Sequence, residues 1–297
     1  MVSGRARLSV LLSFKLQRMQ TGKASKTALR VAMRRAAHQL VDDPPVLNDP
    51  IAVRIVGQEF ARDMERAQHK VARDFRAFMA ARSRFVEDQL ASAVARGVTQ
   101  YVVLGAGLDT FAWRNPFPAL RVFEVDFPAT QQWKRSMLER ARLNHPPGLT
   151  FVPLDFEHQT LNAGLVHAGF DPARPAFFGW LGVVPYLTRE AFRATLAAIA
   201  AMPPGSGVGF DYGLSPEMLG PLHKVALQAL AHRVAAAGEP FKLLLTPAEL
   251  DRDLLRAGFT RIEQRDGKQL NALYFQGRAD GLKLPEPGLG MLATAWV

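Results

Sequence analysis

The sequence contains no cysteine, and this absence excludes several kinds of chemistry together. Without thiols, the chain forms no disulfide, holds no metal ion through thiolates and has no cysteine nucleophile. A protein without disulfides suits a reducing compartment, so we expect a cytoplasmic location. We also predict no metal site.

Long hydrophobic runs are absent as well. No stretch approaches the roughly 18 apolar residues that a membrane-spanning helix needs, so we predict no transmembrane segment. The run from Leu8 to Phe14 contains two serines and is closed by Lys15, unlike the clean apolar core of a secretory signal. We expect residues 1–24 to be a basic leader, either a disordered or partly helical tail or an amphipathic segment resting on an anionic surface.

Acidic residues are missing from the first 41 positions. Residues 1–35 hold nine Lys and Arg, whereas residues 36–297 hold 28 basic and 27 acidic side chains. The net charge of +10 therefore belongs to one terminal segment. A nucleic-acid-binding domain would instead spread a basic stripe over its folded surface, so we expect no nucleic-acid partner.

The first hundred residues have apolar side chains at helical spacing. The pattern predicts a helix over residues 26–40, a short helix beginning near residue 50, and residues 60–96 as one long helix or two joined near residue 80. Because no strand pattern occurs among them, we interpret residues 25–98 as a helical cap.

From residue 99 onward, short apolar runs alternate with helical patterns. Such runs are typical of strands that are buried on both faces of a parallel sheet. They are residues 101–104, 120–125, 150–154, 176–183, 207–211, 259–265 and 291–297. The alternation predicts an α/β fold with a doubly wound sheet. We expect a single domain over residues 25–297, in which residues 99–297 form the α/β core.

The turn after the first predicted strand is the first candidate ligand site. Gly105, Ala106 and Gly107 form it, and the two glycines lack the side chains that would keep a ligand from the backbone. The second strand ends in Asp126, whose carboxylate is placed to accept hydrogen bonds from ribose hydroxyls. A dinucleotide motif would have a third glycine where this chain has Thr110, so an NAD-dependent oxidoreductase remains only as the alternative.

The third strand also ends in an acidic residue. The carboxylate of Asp155 can accept a hydrogen bond from an adenine amino group while Phe156 packs on the ring. Asp126 and Asp155 are each equally well explained as helix N-caps. Together with the glycine turn, however, they favour a ligand that contains adenosine.

Two longer motifs contain these residues. Residues 102–114 read V-V-L-G-A-G-L-D-T-F-A-W-R, and residues 122–128 read V-F-E-V-D-F-P. The pair closely resembles the leucine carboxyl methyltransferase-like branch of the class I S-adenosyl-L-methionine-dependent methyltransferases, in particular its bacterial O-methyltransferases of small molecules. The resemblance extends over residues 25–297.

This resemblance implies a fold and a cofactor. The fold is a Rossmann-like sheet of seven strands, the last antiparallel, with helices on both faces and an N-terminal helical cap over the cofactor. The cofactor is S-adenosyl-L-methionine. By the same resemblance, Gly105 lies under its methionine part, Asp126 binds its ribose, and Asp155 with Phe156 meets its adenine.

The resemblance also implies basic contacts to the cofactor. Arg82 matches an arginine that pairs with the carboxylate of the cofactor, a bidentate task suited to a guanidinium group. Lys26 is a looser match to a second basic contact.

One position departs from the family pattern and bears on the acceptor. Members that modify a protein phosphatase have a Glu where this chain has Leu181, so a protein C-terminus is only the alternative acceptor. We expect methyl transfer to an oxygen, carboxylate or hydroxyl, of a small-molecule acceptor. A carboxylate needs no general base, whereas a hydroxyl needs one nearby, and the sequence identifies no catalytic residue.

Several other polar residues lie near predicted strand ends or in the later helices. Tyr186 and Tyr212 follow the fourth and fifth strands, and either line the acceptor pocket or pack in the core. Glu124 is interpreted as a second ribose contact or a helix cap. The histidines to consider as a base, each better explained by surface or packing roles, are His158, His223 and His232.

Overall fold

The computed structural model describes residues 26–58, 60, 70–155 and 160–297. Within these residues, three helices precede the sheet: α1 (Lys26–Val41), α2 (Pro50–Val56) and α3 (Lys70–Ala95). The later helices are α4 (Phe111–Arg114), α5 (Pro128–Arg140), α6 (Leu161–His167), α7 (Arg189–Ala200), α8 (Pro221–Ala236), α9 (Pro247–Ala257) and α10 (Gly267–Tyr274). None of these helices is long and apolar enough to cross a membrane. The predicted leader, residues 1–24, lies outside the described residues.

Seven strands form one mixed sheet, as predicted. They are β1 (Gln100–Leu104), β2 (Arg121–Asp126), β3 (Leu149–Pro153), β4 (Phe177–Trp180), β5 (Gly207–Gly213), β6 (Arg261–Arg265) and β7 (Gly290–Trp296). Their order is β3-β2-β1-β4-β5-β7-β6, and β7 runs antiparallel to both of its neighbours. The strand predicted over residues 176–183 ends early, because the chain leaves the sheet at Leu181 and Gly182 takes a positive φ of 71°.

Burial explains why the strands read as continuous apolar runs. All five residues of β1 are buried, because one face of the sheet packs on α6, α7 and α9 and the other packs on α3, α4 and α10. Val102 and Leu104 belong to the first core, whereas Tyr101 and Val103 belong to the second. Helices therefore cover both faces, as expected for a doubly wound sheet.

The strand register brings the predicted ligand residues to one edge. Leu104 at the end of β1 lies opposite Val125, so the turn that begins at Gly105 stands beside Asp126. Asp126 in turn lies opposite Pro153, two residues before Asp155. Carboxyl ends of parallel strands meet at the same edge of a sheet, which is where open α/β sheets bind ligands.

A buried hydrogen-bonded group joins the cap to this edge, and we call Arg35, Asp49 and Thr110 the cap–turn network. Arg35 Nε donates to Asp49 Oδ2 at 2.9 Å, and Thr110 Oγ1 donates to Asp49 Oδ1 at 2.7 Å. Asp49 also caps α2 by accepting from Ala52 N. Burial alone would raise the pKa of Asp49, but Arg35 and Arg114 hold it below its usual value. Thr110, at the position of the absent third glycine, therefore binds the cap.

We predict that Asp49→Ala destabilises the chain by about 3–5 kcal/mol, because it removes the ion-pair partner of a buried guanidinium. Glu263→Ala is the matched control: its carboxylate pairs with Arg265 at the surface, and its loss is expected to cost below about 1 kcal/mol. The free energy of unfolding in urea measures both values. Equal losses in the two variants would show that the cap–turn network contributes no special stability.

Candidate active site

A cavity of about 510 Å³ opens at the carboxyl ends of the strands, beneath α1. The glycine turn and the strand ends form its floor, α1 forms its roof, and the loop after β4 with residues 238–242 forms its far side. Polar residues in its lining are Thr27, Arg35, Arg82, Ser83, Tyr101, Asp109, Asp126, Thr130, Asp155, Tyr186, Thr195, Glu239 and Lys242. A cavity of this size at the switch point of a sheet suits a small organic ligand.

The glycine turn is shaped by the protein's own packing. Gly105 and Gly107 have positive φ angles of 66° and 47°. A Cβ on Gly105 would lie 2.5 Å from Val183 Cγ2, and a Cβ on Gly107 would lie 3.1 Å from Ala28 Cβ on α1. The glycines thus let the loop after β4 and the cap helix approach the turn closely.

The backbone amides of this turn are used internally. Gly105 N and Ala106 N both donate to Val125 O, at 2.9 and 3.1 Å. Gly107 N donates to Asp126 Oδ2 at 2.6 Å. A pyrophosphate site needs backbone amides that donate to the ligand. These three amides already donate to protein oxygens, which argues against the NAD-dependent alternative.

Asp126 stands at the end of β2 on the cavity wall. Its Oδ1 accepts from Phe127 N at 2.7 Å, and its Oδ2 accepts from Gly107 N. Burial raises the pKa of Asp126 above its usual value, although these two amides oppose the shift. Each carboxylate oxygen keeps a further lone pair, and Asp155 of the neighbouring strand end also lines the cavity. The two carboxylates together can accept hydrogen bonds from hydroxyl and amino groups.

Arg82 reaches the cavity from α3 and is held by a residue that the sequence analysis missed. Its Nη1 donates to Asp211 Oδ2 at 2.8 Å, while Asp211 Oδ1 accepts from Gly182 N. Arg82 Nε is buried and has no hydrogen-bond partner among the described residues. Asp211 lies near the carboxyl end of β5, and a position at a strand end is the same signal that singled out Asp126 and Asp155. The hydrogen bond that it accepts from Nη1 orients the guanidinium group of Arg82.

Of the two candidate tyrosines, one lines the cavity. Tyr186 does, with its ring 5.5 Å from that of Phe241. Tyr212 is buried away from it, and its hydroxyl donates to Gln264 Oε1. Since β5 continues through Tyr212 to Gly213, Tyr212 is still part of the strand. Its side chain packs in the first core and does not reach the cavity.

Other candidates fall outside the cavity or outside the described residues. His223 and His232 lie on α8 and do not line it. His158 and Phe156 lie outside the described residues. Lys26 is the first residue of α1, and its side chain is also outside the described part. The predicted contacts of Phe156 and Lys26 therefore stay predictions.

Glu124 takes a role different from the two that were predicted. Its side chain is buried in the core, where it pairs with Lys134 of α5, and it does not line the cavity. Burial raises the pKa of Glu124 to about 7, although Lys134 opposes the shift. Glu124 is thus part of a buried ion pair beneath the site.

Comparison with known proteins identifies the family. The sequence profile described as "Leucine carboxyl methyltransferase" matches residues 28–200. A Bacillus subtilis protein, "Putative S-adenosyl-L-methionine-dependent methyltransferase YktD", is 32% identical over 291 residues, which is 89% of this chain and 95% of the relative. This chain belongs to the leucine carboxyl methyltransferase family. It is therefore a methyltransferase that uses S-adenosyl-L-methionine.

Solved structures support the fold of this methyltransferase. A DUF574 family protein from Streptomyces avermitilis aligns with a TM-score of 0.53 at 18% identity, over 89% of this chain and 96% of the other. A "putative methyltransferase" from Thermobifida fusca aligns with a TM-score of 0.55 at 18% identity, over 93% and 96%. The methyltransferase has the class I Rossmann-like fold.

We predict that Glu124→Gln reduces the pH dependence of stability. Because the pKa of Glu124 is about 7 in the folded chain and near 4.5 when unfolded, the folded state binds more protons between these values. Stability therefore falls as pH rises through that window, by at most about 3 kcal/mol. Urea unfolding between about pH 5 and pH 7 measures this slope. Parallel pH profiles for the wild type and Glu124→Gln would contradict the prediction.

Proposed function

We propose that this methyltransferase transfers the methyl group to an oxygen, either a carboxylate or a hydroxyl, of a small-molecule acceptor. The observation that carries the proposal is the cavity beneath α1, whose lining includes the carboxylates of Asp126 and Asp155 and the buried guanidinium of Arg82. Its concave shape and its position beneath the cap favour a small acceptor over a protein surface.

The residues of the cavity fit S-adenosyl-L-methionine, which, when bound, supplies a methyl group on a sulfonium. Asp126 binds the ribose hydroxyls and Asp155 accepts from the adenine amino group. Arg82, whose buried Nε lacks a described partner, binds the carboxylate of the amino-acid part. The backbone of residues 105–107 lines the cavity and passes beneath the same part of the ligand.

The acceptor end of the cavity is lined by Leu181, Tyr186, Glu239 and Lys242. No histidine occurs in the described lining, so a hydroxyl acceptor would depend on a carboxylate such as Glu239 as its base. A carboxylate acceptor is already ionised and needs no base. Burial raises the pKa of Tyr186 to about 12, so its neutral hydroxyl can donate a hydrogen bond to either kind of acceptor oxygen.

We predict that Asp126→Asn weakens binding of S-adenosylhomocysteine about tenfold or more, because a charged acceptor of ribose hydrogen bonds is lost. Isothermal titration calorimetry on the full chain measures the dissociation constants. The matched control is Asp253→Asn: Asp253 is also buried, but it pairs with Arg189 and Arg193 outside the cavity. Unchanged binding by Asp126→Asn would remove Asp126 from the cofactor site.

The acceptor class is tested with S-adenosyl-L-methionine that carries a tritiated methyl group. The enzyme is incubated with it and either a panel of small carboxylic acids and phenols or a protein fraction. Methyl esters release volatile methanol in alkali, whereas methyl ethers do not. We expect label in the small-molecule panel. Label confined to the protein fraction would instead support a protein C-terminus as the acceptor.

A further inference from the structure

Tyr101 of β1 carries a hydroxyl that the site described above does not use, on a side chain that lines the cavity. The side chain is only 4% exposed. Its ring stacks on Phe177 with centroids 6.1 Å apart and meets Phe111 edge-on at 5.1 Å. The hydroxyl lies where a side chain on Gly179 of β4 would be. The glycine thus leaves the space through which the phenol reaches the cavity wall.

This hydroxyl has no hydrogen-bond partner among the described residues. Because Tyr101 lines the cavity, a ligand bound there can accept the hydrogen bond that no described residue takes. Burial, with Asp109 and Glu87 nearby, raises the pKa of Tyr101 well above its usual value. The phenol therefore stays protonated and is available as a donor to a ligand in the cavity.

Two further donors approach the cavity on the same face of the sheet. Arg82 and Ser83 are consecutive on α3, which packs on the face that also holds Tyr101. Arg82 Nε lacks a described partner, and Ser83 makes no hydrogen bond to any described residue. A guanidinium and two hydroxyls form a donor set that suits a carboxylate.

The strand order indicates which part of the cofactor these donors meet. Asp126 and Asp155 lie at the ends of β2 and β3, which places the nucleoside over that side of the sheet. Tyr101 reaches the cavity at Gly179 of β4, on the other side of β1. A ligand that spans the cavity from the two carboxylates therefore ends near β4.

We propose that Tyr101 Oη donates a hydrogen bond to the carboxylate in the amino-acid part of S-adenosyl-L-methionine, beside Arg82 and with Ser83 as a second hydroxyl donor. The inference rests on the cofactor orientation given under the proposed function. Tyr101 is then a specificity-determining residue that favours adenosyl ligands with an amino-acid part over those without one.

The test compares Tyr101→Phe with the wild type on two ligands. S-adenosylhomocysteine has the carboxylate, whereas 5′-methylthioadenosine lacks the whole amino-acid part. We expect Tyr101→Phe to raise the dissociation constant for S-adenosylhomocysteine about tenfold, as the loss of one hydrogen bond to a charged group implies. Binding of 5′-methylthioadenosine should be unchanged. Tyr212→Phe is the control, because its hydroxyl binds Gln264 outside the cavity.

The possible outcomes are distinct. An equal loss for both ligands, or no loss for either, would overturn the role of Tyr101 while leaving the proposed function intact. A wild-type chain that binds neither ligand would contradict the proposed function itself. Ser83→Ala makes the same test without changing the aromatic core. If the ratio of the dissociation constants for S-adenosylhomocysteine and 5′-methylthioadenosine is the same in Tyr101→Phe, Ser83→Ala and the wild type, the proposal is also overturned.

Discussion

The ion pair between Arg35 and Asp49, with Thr110 bonded to both, is the interaction on which the site depends. Arg35 and Asp49 belong to the cap, whereas Thr110 belongs to the segment that follows the glycine turn. The bonds to Thr110 therefore fix the roof of the cavity against its floor. All three side chains are buried, and buried charges are tolerated only when they are paired and hydrogen-bonded. The network therefore requires one docking position of the cap, in which Ala28 rests against Gly107.

Asp109 and the hydrogen bonds of the turn explain why the turn suits a nucleoside without phosphates. The acidic side chain of Asp109 lies at the start of α4, where it accepts from Phe111 N at 2.8 Å. Its carboxylate occupies the helix terminus at which a dinucleotide fold would bind phosphate. With the turn amides bonded to Val125 and Asp126, the edge presents carboxylates to hydroxyl and amino groups.

Much of the fold and of the cavity lining could be predicted from the sequence, because strands and their ends are marked by residues close together in the chain. Apolar runs identified all seven strands, and strand ends identified Asp126 and Asp155. The short helices α4 and α6, with four and seven residues, are too brief to show a helical period. Glu124 was misinterpreted because its partner, Lys134, lies on α5, and alternation along a strand does not reveal which helix covers it.

The basic residues also show that the sequence does not reveal which side chains pair in the fold. The sequence showed that the excess charge lies in the first 35 residues, but the pairing of Arg35 with Asp49 depends on how α1 docks on α2. Asp211 likewise ended a predicted strand, yet its importance comes from Arg82, 129 positions away in the sequence. Partners so distant in sequence meet only through the tertiary fold.

The cavity is built from two sets of elements. The cofactor end is formed by strand ends and by α3, which are embedded in the two cores. The proposed acceptor end includes residues 238–242. Their attachment to the loop after β4 combines the ring contact of Phe241 with Tyr186 and two backbone bonds: Lys242 N and Leu243 N both donate to Pro185 O, at 2.7 and 3.1 Å. Backbone bonds do not depend on side-chain identity. The position of this segment against the loop after β4 is therefore set in part by bonds that do not depend on which side chains stand at residues 239 and 242.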